Sequence, residues 1–194
     1  QAEAEELQLE ALDVLRRSYG ENSRPVGAAY NSLAVTAARR QQPARALEYA
    51  RSALRSLERA LDPPHPTLAT TQRNLATFLM DAGRLEEAQA LIEKSLAQFV
   101  ALAGEGSPAV ADVQNVVAAI ALERGDAEEA ARLRAEAMDV FAEALGEDHP
   151  QVATSSHGLA EALAAQGLHA AADTAFARAV RLRRAAYGAD HQLT

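Results

Sequence analysis

Small apolar residues return along this chain at a fixed interval: Ala46, Ala88, Ala130 and Ala172 stand 42 residues apart, and one further step back lands on Ala4. A second column runs Leu33-Ala34, Leu75-Ala76, Val117-Ala118 and Leu159-Ala160 with the same period, and a third runs Leu12, Leu54, Leu96, Met138 and Val180. A recurrence of this length without insertions marks a repeat architecture, in which each unit buries its apolar face against its neighbours.

Inside one unit the spacing is helical. Val26, Tyr30, Leu33, Ala34 and Ala37 keep to one face of a helix, as do Ala46, Tyr49, Ala50, Ala53, Leu54 and Leu57, so each unit holds two amphipathic helices. Alanine on the contact face lets two helix axes approach to the near end of the roughly 8–10 Å range for packed helices. Tyr19-Gly20, Leu61-Asp62, Ala103-Gly104, Leu145-Gly146 and Tyr187-Gly188 punctuate the repeats, while Gly83, Gly125 and Gly167, with Gln41 in the first unit, separate the two helices of each. Glycine suits these places because it accepts the left-handed conformation that ends a helix. Pro66, Pro108 and Pro150 restart the chain, with His65, Ser107 and His149 placed to cap, and the first unit moves its proline by one to Pro25.

These signals predict helices near 2–18, 24–40, 43–60, 66–82, 85–102, 108–124, 127–144, 150–166 and 169–186. The expected fold is all-α: a right-handed solenoid of antiparallel helix pairs, about nine helices long, in one domain over residues 1–194. Residues 1–19 read as the second helix of a preceding repeat, 20–61, 62–103, 104–145 and 146–187 as four full repeats, and 188–194 as the start of another that the chain cuts short.

Composition narrows the function classes. With 19 basic against 27 acidic side chains the net charge is -8, which repels a phosphate backbone, and no basic stripe offsets it, so nucleic acid is not expected as a partner. The chain has no cysteine, which removes disulfides, thiolate metal sites and a cysteine nucleophile together. No apolar run of about 18 residues is present to cross a bilayer, and the start has no basic or apolar leader region, which describes this stretch of sequence and not its parent; the scaffold reading below goes with an expected cytoplasmic location.

Leu33-Ala34 with Ala46 and Ala53 resembles the spacing of the tetratricopeptide repeat, whose usual period is about 34 residues. Leu145-Gly-Glu-Asp-His-Pro150, then Leu159-Ala160, then Gly167, resembles the longer units of the kinesin light chain subclass. The likeness runs over nearly the whole chain. It implies a concave groove lined by the first helix of each pair, where asparagines two and one residues before Leu-Ala hold the backbone of a bound peptide. Asn31 and Asn115 occupy the earlier of those positions and Asn74 the later, while the fourth repeat has His157-Gly158 there; no repeat carries both asparagines.

The helical period gives separate support for such a stripe. Ala28, Asn31, Val35 and Ala38 lie on a face apart from the core stripe, and Arg39, Arg73, Asn74, Thr77, Asp112, Asn115, His157 and Glu161 continue it along the first helices. An asparagine amide both donates and accepts, so it satisfies the N–H and C=O of an extended chain whatever that chain's side chains are. The same residue types also serve to solvate an exposed face or to bond the neighbouring repeat. Arg39 and Arg73 suit a ligand carboxylate, whereas Asp112, Glu123 and Glu161 make the later repeats acidic, so a ligand of mixed charge is implied.

His65, His149 and His191 share one phase, but successive repeats sit on the order of 20 Å apart, too far for one metal ion with ligands at about 2.0–2.3 Å. Neither a metal nor any other cofactor is expected. Glu86-Glu87 and Glu128-Glu129 recur at the starts of second helices, where they favour the positive end of the helix dipole and need no acid–base role. No phosphate-binding glycine loop and no nucleophile motif is present. The expected function is therefore a non-catalytic scaffold that binds a protein or extended peptide in the groove. The alternative is a structural module that associates with itself end to end.

Overall fold

The computed structural model describes residues 2–188, and the side chains of residues 6–188; His191 lies outside them. The helices are α1 (Ala2–Tyr19), α2 (Arg24–Arg39), α3 (Pro43–Glu58), α4 (Pro66–Asp81), α5 (Leu85–Ala103), α6 (Pro108–Glu123), α7 (Ala127–Leu145), α8 (Pro150–Ala165) and α9 (His169–Tyr187), and no strand occurs among the described residues. Each begins and ends within a few residues of the position the sequence predicts. None is long and apolar enough to cross a membrane among the described residues.

The boundaries have local causes. His65 and His149 accept the N–H of Thr67 and Gln151 on Nδ1 at 3.1 and 3.2 Å, and the Ser107 hydroxyl accepts from Val110, so three of the expected caps form. Each first helix closes with the same pair of backbone bonds: Gly83 N–H to Met80 and Arg84 N–H to Leu79, both 2.8 Å, with equivalents at Gln41-Gln42, Gly125-Asp126 and Gly167-Leu168. This closure places one residue in the left-handed region. Three repeats supply glycine there; the first supplies Gln41, at φ 57°.

The chain forms two compact units, Gln1–Leu102 and Ala103–Thr194, whose border falls one residue before the end of the 62–103 stretch. In the first unit α1 packs on α2, α2 on α3 and α3 on α4, around Leu12, Val26, Tyr30, Leu33 and Ala53. Tyr30 is held from two sides: its ring lies 6.5 Å from that of Tyr49, and its hydroxyl donates to Glu21 at 3.0 Å. Burial first, and then this bond to a carboxylate, raise the Tyr30 pKa.

Buried polar side chains tie the connecting turns of this unit to its second helices. Ser56 donates to the carbonyls of Glu21 and Ser23 at 2.6 and 3.1 Å. One repeat later, Gln98 accepts the His65 N–H at 3.0 Å and donates to Gln72 at 2.6 Å. Ser95 adds a bond from α5 to the Ala69 carbonyl at 2.8 Å.

In the second unit α6 packs on α7, α7 on α8, and α8 on both α9 and α6. Its apolar centre joins Ala111, Ala137, Phe141, Val152, Ala153 and Leu182, and a second cluster joins Ala118, Ala130, Leu133 and Ala162. The positions equivalent to Ser56 and Gln98 are here Val140 and Leu182, so apolar packing replaces the polar ties. The repeat column Ala46, Ala88, Ala130 and Ala172 is buried throughout.

Candidate functional site

The first helices of each unit carry the predicted polar row, which ranges from the exposed Val35 and Arg39 to the buried Asn115. In the first unit Asn31 is half-buried, and its amide donates to the Thr71 hydroxyl of α4 at 2.5 Å, while Thr71 donates to the Thr67 carbonyl at 2.8 Å. Asn31 thus joins α2 to α4. Val35 and Arg39 are exposed on α2. On α4, Arg73 donates to the Asn74 side chain at 3.3 Å, and Thr77 returns its hydroxyl to the Arg73 carbonyl at 3.2 Å. Arg73, Asn74 and Thr77 are half-buried, and burial lowers the Arg73 pKa by penalising the charge.

Beside Asn31 lies a hollow of 340 Å³ lined by Gln8, Asn31, Ser32, Val35 and Thr36. The Gln8 side-chain oxygen is sealed from solvent and has no donor among the described residues, an unusual state for a buried acceptor. A second hollow of 340 Å³, at the carboxyl ends of α2 and α4, is lined by Ala38, Gln41, Pro43, Ala46, Phe78 and Asp81.

In the second unit Asn115 is more enclosed, with 7% of its surface exposed. Its amide donates to Ser155 on α8 at 2.9 Å, and its carbonyl oxygen receives Ser155 at 3.2 Å and the Arg134 guanidinium at 3.2 Å. Gln151 donates to Asp112 at 3.4 Å, a second tie between α8 and α6. His157 rests edge-on against Phe176, ring centres 5.3 Å apart, and its Nε2 lies 3.5 Å from the exposed Glu161 carboxylate.

The predicted residues therefore divide. Val35, Arg39 and Glu161 face solvent, Asn31, Arg73, Asn74, Thr77, Asp112 and His157 stand half-open, and Asn115 is committed to its neighbours. Both asparagine ties run from a first helix to a hydroxyl 40 residues on. No group of three or more His, Asp or Glu side chains able to hold a metal ion occurs among the described residues.

Sequence reasoning passed over Arg134. It belongs to a second helix, in the register position that reads Gln8, Ala50, Ile92, Arg134 and Phe176 in successive repeats, and its side chain reaches between α6 and α8. There it lies over Gly158, where an added Cβ would fall closer than 3.0 Å to Cζ, Nε and Nη1. Burial lowers the Arg134 pKa, opposed by the charge of Glu161. Two signals were legible: the one charge in a column otherwise uncharged, and a glycine inside a helix where no turn needs one.

The tetratricopeptide repeat profile matches residues 2–59, 67–133 and 110–185. Comparison with curated protein sequences finds no match. Among solved structures, the chain is similar to BtubC (BKLC) from P. vanneervenii, with a TM-score of 0.80 and 24% identity over 98% of this chain and 76% of that one. It is similar also to the nearly identical TPR-like repeats assigned to a kinesin light chain of Podosopora anserina, with a TM-score of 0.76 and 22% identity over 97% and 89% of the two chains. The apo form of RapI gives 0.66 at 16% identity, over 82% of this chain and 56% of that one. These likenesses establish an all-α helix-pair solenoid of the kinesin light chain type.

Proposed function

Because the chain belongs to the tetratricopeptide repeat family, we propose that it is a cytoplasmic, non-catalytic scaffold that binds an extended peptide segment of a partner protein along the first helices of its repeats. The observation that carries this is the 340 Å³ hollow of the first unit, where the half-buried Asn31 amide and the exposed Val35 stand on one surface. An extended backbone supplies N–H donors at regular intervals, and an asparagine amide answers its C=O groups. Val35 gives the same surface an apolar contact. Arg39, Arg73, Asn74 and Thr77 extend it in the first unit. Asp112, His157 and Glu161 give the second unit a surface of opposite charge, with Asn115 holding its neighbours in place.

The test is selection of binders from a random decapeptide display library. Peptides recovered on the native chain are then measured against a variant carrying Asn31→Ala, Val35→Ala and Asn74→Ala. The expected result is loss of most of the affinity with helix content unchanged. Unaltered affinity overturns the assignment.

One observation favours the second reading. Leu7 and Val14 of α1 are 60% and 62% exposed, and Leu168, in the turn before α9, is 50% exposed, apolar surface of a kind that associates. Light scattering over a concentration series decides: a strict monomer removes self-association.

A further inference from the structure

We propose that the hollow framed by the carboxyl end of α3, by α4 and by α5 is a second binding site, for a small zwitterion with an apolar body, the chemistry shared by free apolar amino acids and dipeptides. This site goes beyond the groove reading and does not depend on it, since both of its charges come from second helices.

The hollow holds 360 Å³, at the small end of the roughly 300–1,000 Å³ that ligand sites span. A relay of hydrogen bonds ends at its wall. The His65 N–H donates to the Gln98 oxygen at 3.0 Å, and the Gln98 amide donates to the Gln72 oxygen at 2.6 Å. A backbone N–H can only donate, so it fixes the direction of both amides and leaves the NH2 of Gln72 as the last group of the relay. Gln72 is 4% exposed. Its nitrogen has no acceptor among the described residues, yet it is not sealed, since among them the Gln8 oxygen alone is both buried and without a partner. Gln72 lines the hollow, so the relay presents a donor there and calls for an acceptor on the ligand.

Two opposite charges accompany this donor. Glu58, the last residue of α3, and Lys94 of α5 both line the hollow and are exposed. Neither makes an ion pair among the described residues. A ligand carboxylate is served by Lys94 and the Gln72 amide, a ligand ammonium by Glu58, and a hydrocarbon body by Leu61, Pro63 and Leu68. A ligand with a single charge leaves the opposite wall unmatched. The relay and the lysine belong to one repeat: Ser56, Val140 and Leu182 stand where Gln98 does, and Ser52, Glu136 and Arg178 where Lys94 does. A packing role common to the repeats therefore does not account for them.

The experiment is an NMR titration of the full nitrogen-labelled chain, read at the Gln72 side-chain NH2 signal, which is assigned by its loss in Gln72→Leu. Leucine and leucyl-leucine are each offered free, N-acetylated and amidated, and glycine is offered as the probe without an apolar body. The expected result is that free leucine or leucyl-leucine moves the Gln72 signal saturably, the tighter of the two telling an amino acid site from a dipeptide site. Glycine binds about tenfold more weakly, for want of buried hydrocarbon. Acetylation, which removes the ammonium, and amidation, which removes the carboxylate, each weaken binding about threefold to fivefold, the scale of partly solvated charges. Lys94→Gln then weakens the free ligand by the same factor and leaves the amidated one unchanged, and Glu58→Gln does the same for the acetylated one. Both variants alter exposed side chains, and circular dichroism checks that the helices persist. If no probe moves the Gln72 signal, or if free, acetylated and amidated ligands bind the native chain and both variants alike, the site is refuted, while the groove reading is decided separately by peptide display.

Discussion

Asn115 and Ser155, on first helices of successive repeats, hold each other by a 2.9 Å bond that neither side chain makes to solvent. A half-buried counterpart, Asn31 to Thr71 at 2.5 Å, spans the same 40 residues in the first unit. An asparagine on a first helix can thus serve its neighbour as readily as a ligand.

Burial sets what each bond is worth. Asn115→Ala strands the Ser155 hydroxyl and one N–H of Arg134, and is expected to cost about 1–3 kcal/mol in urea unfolding. Ser155→Ala costs less, and the double variant Asn115→Ala, Ser155→Ala costs less than the sum of the two singles, since the pair acts as a unit. Strict additivity would show that the bond carries no stability of its own.

Two helix-interior glycines should respond in opposite ways to the same change. A Cβ on Gly27 meets Cγ and Cδ2 of the fully buried Leu57 closer than 3.0 Å, so Gly27→Ala overpacks the core at a cost of about 1–3 kcal/mol. The three atoms nearest a Cβ on Gly158 all belong to the movable end of Arg134. Combined with Arg134→Ala, the change Gly158→Ala is expected to stabilise by about 0.5–1 kcal/mol through helix propensity alone. Thermal unfolding of the two variants against their parents checks both signs.

Gln41 holds a left-handed turn that the other three repeats give to glycine. Relieving the Cβ strain, which costs roughly 1–2 kcal/mol for a non-glycine residue, Gln41→Gly should raise the unfolding midpoint. Gly83→Ala, made at the equivalent turn, should lower it. Equal midpoints for the four chains that combine these changes would show the turns are unstrained.

Tyr30 links stability to alkaline pH. Its folded pKa lies above the ordinary 10.0 because the core and Glu21 favour the neutral phenol. The unfolded chain therefore loses this proton first, and the stability due to Tyr30 is whole below pH 10.0 and drains away as pH rises through the folded value. Urea titrations from about pH 8 to about pH 11 should show a steeper decline for the native chain than for Tyr30→Phe; parallel curves would contradict the assignment.

The fold was legible because its determinants are periodic. Four alanines in one phase, a glycine or its stand-in after each first helix, and a proline at each restart located every helix to within a few residues. The site was legible only in part. Which residues stand on the first helices follows from period, so Asn31, Val35 and Arg73 could be picked out. That Asn115 turns to Ser155 and not to solvent depends on how far one helix slides along the next, which composition does not encode. Arg134 escaped notice for a related reason: it starts from a second helix and acts among first helices, and only packing reveals the crossing.

The capping histidines have a consequence of their own. A ring nitrogen that receives a backbone N–H must offer a lone pair, so at His65 and His149 the proton of the neutral ring is assigned to Nε2. Imidazole nitrogen chemical shifts from these two rings would then report, without any label added to the chain, whether the opening turns of α4 and α8 are wound or frayed.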